Sequence, residues 1–168
     1  MTDIDPIDAA QRFAFAGQDV PWLLKQRAQH QPDKLALIWE PKSGATETWT
    51  YGQLHEDSDR LAAGLVAQGV NKGDRVLIHA ENCPETILVW YACAKLGAIA
   101  VVTNTRSVDK DIEYFADHTQ SVIAITQPQF AALLSANAKT CRRIFVTSTD
   151  SGVAAEQTAL PHNCECFE

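Results

Sequence analysis

The chain has 168 residues, 46% of them hydrophobic and 21% charged, which suffices for one domain with its own core and argues against disorder. Fourteen Lys and Arg against 21 Asp and Glu leave a net charge of −7, so a general affinity for nucleic acid or an anionic membrane is disfavoured. No apolar run approaches the ~20 residues of a membrane span, and the acidic start Met1-Thr2-Asp3-Ile4-Asp5 lacks an export pattern. The cysteine number is odd: Cys83, Cys93, Cys141, Cys164 and Cys166 read as free thiols in a reducing cytoplasm.

Residues 1–20 are polar and aperiodic, and are expected to be a loose lead-in. Val20-Pro21-Trp22 opens a short helix that ends before Pro32. Leu35–Trp39 and the alternating Thr46–Thr50 flank the turn residues Pro41-Lys42-Ser43-Gly44, predicting a hairpin. Thr50 caps a long helix with Leu54, Ser58, Leu61 and Leu65 on one stripe, and Gly69 ends it.

From there strand and helix alternate. Val76–Ile78 is a short apolar strand. Pro84 then begins a helix with Ile87, Leu88, Tyr91, Ala94 and Lys95 at helical spacing, closed by Gly97. Ile99–Val102 is the second strand, and Ser107 caps a helix carrying Ile112, Phe115 and Ala116. Val122–Ile125 is the third strand, Pro128 begins a further helix, and Ile144–Val146 is the fourth strand. Thr147–Gly152 reads as a loop, Val153–Leu160 as a weak helix, and Pro161–Glu168 as aperiodic.

Short apolar strands separated by helices predict an α/β fold, a parallel sheet with helices on both faces, preceded by the small hairpin. Residues 21–150 form that unit and 151–168 an irregular tail or the start of a further segment. Right-handed crossovers bring the loops after Ile78, Val102, Ile125 and Val146 to one edge, where open sheets bind ligands.

Those loops differ in chemistry. His79-Ala80-Glu81-Asn82-Cys83-Pro84-Glu85 enters a helix N-terminus, but Glu81 and Glu85 would repel a phosphate. His79 is its one group able to exchange protons near neutral pH; packing is the plainer role for a lone histidine there. Thr103-Asn104-Thr105-Arg106-Ser107 offers hydroxyls, an amide and a guanidinium. Arg106 can grip a phosphate through two parallel hydrogen bonds, or pair with Asp109 or Asp111 while Ser107 caps the helix. Thr147–Gly152 has one glycine, no lysine and Asp150, and reads as a solvated turn rather than a phosphate cradle. His162, Cys164 and Cys166 are three potential metal ligands where a structural zinc site takes four, so a frayed tail with two thiols is the simpler reading. From these residues alone no catalytic set emerges.

The motifs in order resemble a known family. Thr48-Trp49-Thr50-Tyr51-Gly52-Gln53-Leu54 is similar to the Thr-Tyr-x-x-Leu element of adenylate-forming enzymes, the superfamily of acyl-CoA synthetases, luciferases and peptide-synthetase adenylation domains. Leu61-Ala62-Ala63-Gly64-Leu65, then Gly69-Val70-Asn71-Lys72-Gly73-Asp74-Arg75-Val76, Glu81–Glu85 and Ala92–Ala98 continue the likeness. Val102-Thr103-Asn104-Thr105-Arg106 stands where the family has a Leu-Asn-Pro-Arg type element, with Thr105 in place of proline. The resemblance spans about residues 20–147.

It implies the N-terminal subdomain of an acyl-CoA synthetase-like fold, from a parent enzyme that uses ATP, Mg²⁺ and CoA to activate a small carboxylic acid. It also implies that Thr103, Asn104, Thr105 and Arg106 lie on the CoA side. The family's phosphate loop, adenine and ribose motifs and catalytic lysine are not found in these residues. The chain is therefore expected to be an N-terminal fragment, inactive alone, whose partner is the remainder of the parent enzyme and whose exposed apolar faces favour self-association. The competing readings are a non-catalytic binding or assembly module on the same scaffold, and a flavodoxin-like domain holding a flavin phosphate.

Overall fold

The computed structural model describes residues 17–42, 44–150, 153–154 and 160–167. The expected lead-in lies largely outside them, but its end is ordered: the Asp19 carboxylate accepts the Trp22 N–H at 2.8 Å and caps α1 (Val20–His30). β1 (Leu35–Trp39) and β2 (Glu47–Thr50) form the antiparallel hairpin, with one irregularity between Leu35 and Leu37. Thr50 then starts α2 (Tyr51–Ala67) with a reciprocal cap: its hydroxyl accepts the Gln53 N–H at 3.3 Å, and the Gln53 side chain accepts the Thr50 N–H at 2.9 Å. Gly52 lies against the preceding loop, its N–H 2.9 Å from Pro32 O, and an added Cβ would stand 3.2 Å from that same oxygen.

The second half is a five-stranded, wholly parallel sheet of β3 (Arg75–His79), β4 (Ile99–Val102), β5 (Ile123–Thr126), β6 (Arg143–Val146) and β9 (Cys164–Cys166). Its spatial order is β4-β3-β5-β6-β9. Helices α3 (Pro84–Leu96), α4 (Asp109–Thr119) and α5 (Ala131–Asn137) connect the first four strands. Strand alternation divides the core into two layers. Val76, Ile78, Ile123 and Ile125 meet Ala62 and Leu65 of α2 and Val89, Ala92 and Cys93 of α3. Leu77, Ala124 and Ile144 meet Ile112 and Ala116 of α4 and Ala131 and Leu134 of α5 on the other face. The central strands are buried on both faces, as their unbroken apolar runs require.

Several details depart from the expectations. The buried face of α3 is Pro84, Val89, Ala92 and Cys93, not the stripe through Ile87 and Tyr91. This helix is apolar nearly all round, so periodicity cannot choose the face that docking selects. Val108, not Ser107, occupies the N-cap of α4, and Asp111 reaches back to accept the Val108 N–H at 3.0 Å. Pro128–Phe130 is a 3₁₀ turn, with α5 starting only at Ala131. Val153–Ala154, expected to be helical, is a short strand β8 paired antiparallel with β7 (Thr149–Asp150), inside the segment expected to be a loop. Cys164–Cys166, expected to be aperiodic, extends the sheet beside β6 because the open edge of β6 supplies its backbone partners.

Candidate functional site

The chain runs from β3 to β4 on one side, then crosses to β5 on the other. That reversal falls between the carboxyl ends of β3 and β5, the position where ligands enter sheets of this kind. His79 and Thr126 face each other there in register.

His79 is fully buried. Its Nδ1 lies 2.8 Å from Thr103 Oγ1. The Thr103 hydroxyl sits 3.1 Å from Ile78 O as its donor, so the imidazole is the donor in the 2.8 Å bond and Nδ1 carries the proton. Thr126 donates its hydroxyl to His79 O at 2.7 Å, and the Phe130 ring meets the imidazole edge-on at 4.8 Å. Gln127, also fully buried, accepts the Glu81 N–H through Oε1 at 2.8 Å. Two nitrogens, His79 Nε2 and Gln127 Nε2, have no hydrogen-bond partner among the described residues. Burial holds the His79 pKa below its ordinary value and keeps the ring neutral.

The four residues singled out as the CoA side form one turn beside this cluster. Thr103 is tied down twice, through its N–H to Ile78 O at 3.0 Å and through its hydroxyl. Asn104 Oδ1 accepts the Arg106 N–H at 2.9 Å, and the Ser107 N–H closes on Asn104 O at 2.9 Å. Thr105 is half-buried between them. The Arg106 side chain is exposed, and no ion pair with Asp109 or Asp111 forms among the described residues. The turn thus has a fixed backbone and a free guanidinium at the strand edge, an arrangement that fits one phosphate group.

The other loops supply less. Cys83 is the N-cap of α3, its thiol 3.3 Å from Thr86 Oγ1 and pushed up to about 11 by burial. It is therefore a protonated, unreactive thiol at neutral pH. The Glu81 N–H in the loop before this helix is bonded to Gln127. Cys164 is buried, Cys166 exposed, and among the described residues no three metal-ligating side chains cluster.

Sequence reasoning set His79 aside as an isolated histidine and did not single out Gln127. Nothing local separates His79 from a solvated histidine; its burial follows from β4 and β5 flanking β3.

Residues 24–166 match the family of AMP-binding enzymes, and the chain belongs to that family. It is 35% identical over 114 residues to crotonobetaine/carnitine–CoA ligase of Salmonella paratyphi A, an alignment covering 68% of this chain and 22% of that protein. The same enzyme of Salmonella typhimurium matches over the same shares, so the chain spans about a fifth of the length of these curated relatives. Among solved structures, the inhibitor-bound N-terminal domain of FACL13 from Mycobacterium tuberculosis is similar at TM-score 0.69 and 30% identity, covering 76% of this chain and 33% of that one. A Mycobacterium tuberculosis fatty acyl CoA synthetase is similar at TM-score 0.71 and 29% identity, over 86% of this chain and 30% of that one. The α/β fold, with its parallel sheet and small hairpin, is that of the N-terminal region of acid–CoA ligases.

Proposed function

We propose that this chain is the N-terminal subdomain of an ATP-dependent acid–CoA ligase, inactive by itself. The ligase joins a small carboxylic acid to AMP with loss of pyrophosphate, and CoA then takes the acyl group as a thioester. The observation that carries this reading is the match across residues 24–166 to the AMP-binding enzymes, together with an alignment that covers only 22% of a crotonobetaine/carnitine–CoA ligase. ATP and Mg²⁺ are handled by parts of the ligase other than these residues, since neutralising a triphosphate takes a glycine-rich cradle, a lysine and metal ligands. Among the described residues no three metal-ligating side chains gather.

Thr103, Asn104, Thr105 and Arg106 form the CoA side of the site. CoA supplies the thiol acceptor and carries phosphates, and the exposed Arg106 guanidinium receives one of them. In the longer ligase, Arg106→Ala is expected to raise the KM for CoA about tenfold, the scale of one charge-assisted bond, and to leave acid-dependent pyrophosphate exchange intact. Unchanged CoA kinetics would remove Arg106 from the site. The chain alone should release no pyrophosphate with ATP and any of a panel of acids; turnover by the chain alone would overturn the scaffold reading.

The exposed apolar side chains fit a surface covered by the rest of such a ligase. Ile99, Val102, Val108 and Tyr114, at the β4 edge and on the α4 side, are each more than half exposed. The chain alone is therefore expected to self-associate, and a monomer at all concentrations in sedimentation would count against it. Five free thiols suit a reducing cytoplasm.

A further inference from the structure

The bond between His79 and Thr103 joins the buried end of β3 to the first residue of the turn that carries Arg106. Three contacts from different parts of the chain hold His79, one on its ring nitrogen, one on its backbone carbonyl and one on its ring edge. Thr103 Oγ1 accepts from Nδ1 at 2.8 Å, Thr126 Oγ1 donates to the His79 carbonyl at 2.7 Å, and the Phe130 ring braces the imidazole plane at 78°. A flip of the ring about Cβ–Cγ would put Cδ2 in the place of Nδ1 and break the bond to Thr103. Because the Thr103 hydroxyl proton lies on Ile78 O, only the tautomer with a protonated Nδ1 makes that bond. Doubly protonating the ring would create a buried N–H at Nε2, an atom without a partner among the described residues.

Thr103 therefore has its backbone and its side chain both anchored. Downstream, the Asx turn of Asn104 sets the Arg106 backbone, from which the exposed Arg106 side chain extends. A ligand met by a pre-set turn loses less ordering entropy than one that has to organise it. Supporting groups of this sort act on affinity without touching the ligand.

We propose that His79, as its neutral Nδ1–H tautomer, is a positioning residue for the Thr103–Arg106 turn, holding Arg106 at the sheet edge for a phosphate of CoA. This rests on the CoA reading above.

The test is steady-state kinetics of the longer ligase, with CoA, ATP and the acid varied separately. His79→Ala should raise the KM for CoA about tenfold while the KM for ATP moves less than about threefold. His79→Asn, whose amide N–H falls near Nδ1, should restore the KM for CoA to within about threefold of wild type. Thr103→Val should reproduce the alanine effect and Thr103→Ser should not. If Arg106→Ala raises the KM for CoA and His79→Ala does not, the positioning role fails while the CoA reading stands. If Arg106→Ala has no effect, the CoA reading fails and this inference with it. Should His79→Ala not fold, ¹H–¹⁵N spectra of the wild-type imidazole decide: protonated Nδ1 with unprotonated Nε2 supports the proposal, and the opposite tautomer overturns it.

Discussion

Lys95 crosses from α3 to α2 and sets its ammonium 2.7 Å from the Asp59 carboxylate. The same nitrogen donates to His55 O at 2.8 Å and stands 3.0 Å from His55 Nδ1, so its three protons meet three acceptors. Two helices that cover one face of the sheet are joined at this point.

Replacing Lys95 by methionine keeps the packed stem and deletes all three bonds. Asp59 is 55% exposed and water rescues it, but the partly buried His55 acceptors lose their donor. The expected loss is about 1–3 kcal/mol, read as a lower urea midpoint at constant m. A change under about 0.5 kcal/mol would reduce the contact to an ordinary surface pair.

Gln120 ends α4 in the left-handed region, φ 53° and ψ 47°. The carbonyls of Thr119 and Gln120 are bound by the Arg75 guanidinium at 2.5 and 2.9 Å, so the helix end is well capped without the glutamine side chain. Gln120→Gly removes the backbone strain and only exposed side-chain bonds to Asp117. A net gain of about 0.5 kcal/mol is expected, a rise of roughly 1–2 °C in Tm for a domain of this size. A lower Tm would show that the Asp117 bonds outweigh the strain.

Of the five free thiols only Cys166 is exposed. An aromatic disulfide reagent at pH 8 should titrate one thiol rapidly in the native chain and all five in urea; two or more rapid equivalents would contradict the burial.

Burial pushes the Cys83, Cys93 and Cys141 thiols from 9.0 up to about 11. A raised folded pKa means that the unfolded chain loses its protons first. Stability is therefore fully present below pH 9 and declines between pH 9 and 11. Cys93→Ala should flatten that decline, whatever it does to stability at neutral pH; an unaltered slope would remove Cys93 from the cause.

His79 works in the opposite direction. Its folded pKa is lowered by burial from 6.5, so the unfolded chain takes up the proton that the folded ring refuses. Its share of stability is whole above pH 6.5 and falls as the pH drops below that value toward the folded pKa. His79→Asn should show a shallower fall over this acid range in urea titrations, and parallel curves for the two proteins would contradict the assignment.

The candidate turn was legible because its ingredients are consecutive. Hydroxyls, an amide and a guanidinium from Thr103 to Arg106 stand between a strand and a helix, and the structure keeps them together at the sheet edge. Its support was not legible. His79 and Gln127 come from two other strand ends, 24 residues before Thr103 and 24 after it, and nothing near either in the chain announces the cluster.

Local chemistry thus determined most elements of this protein. Alternation and turn residues specified the hairpin, Thr50 with Gln53 specified the start of α2, and Gly97, at φ 69°, specified the end of α3. These signals act over a few residues, where backbone sterics and capping bonds are made. The tertiary structure alone decided that β3 lies between β4 and β5, that α3 buries Val89 and Cys93, and that Cys164–Cys166 becomes a strand. Each of those is a choice of partner among backbone edges and apolar faces that are nearly equivalent locally, and only packing the whole sheet against both helical layers makes one choice better than the others.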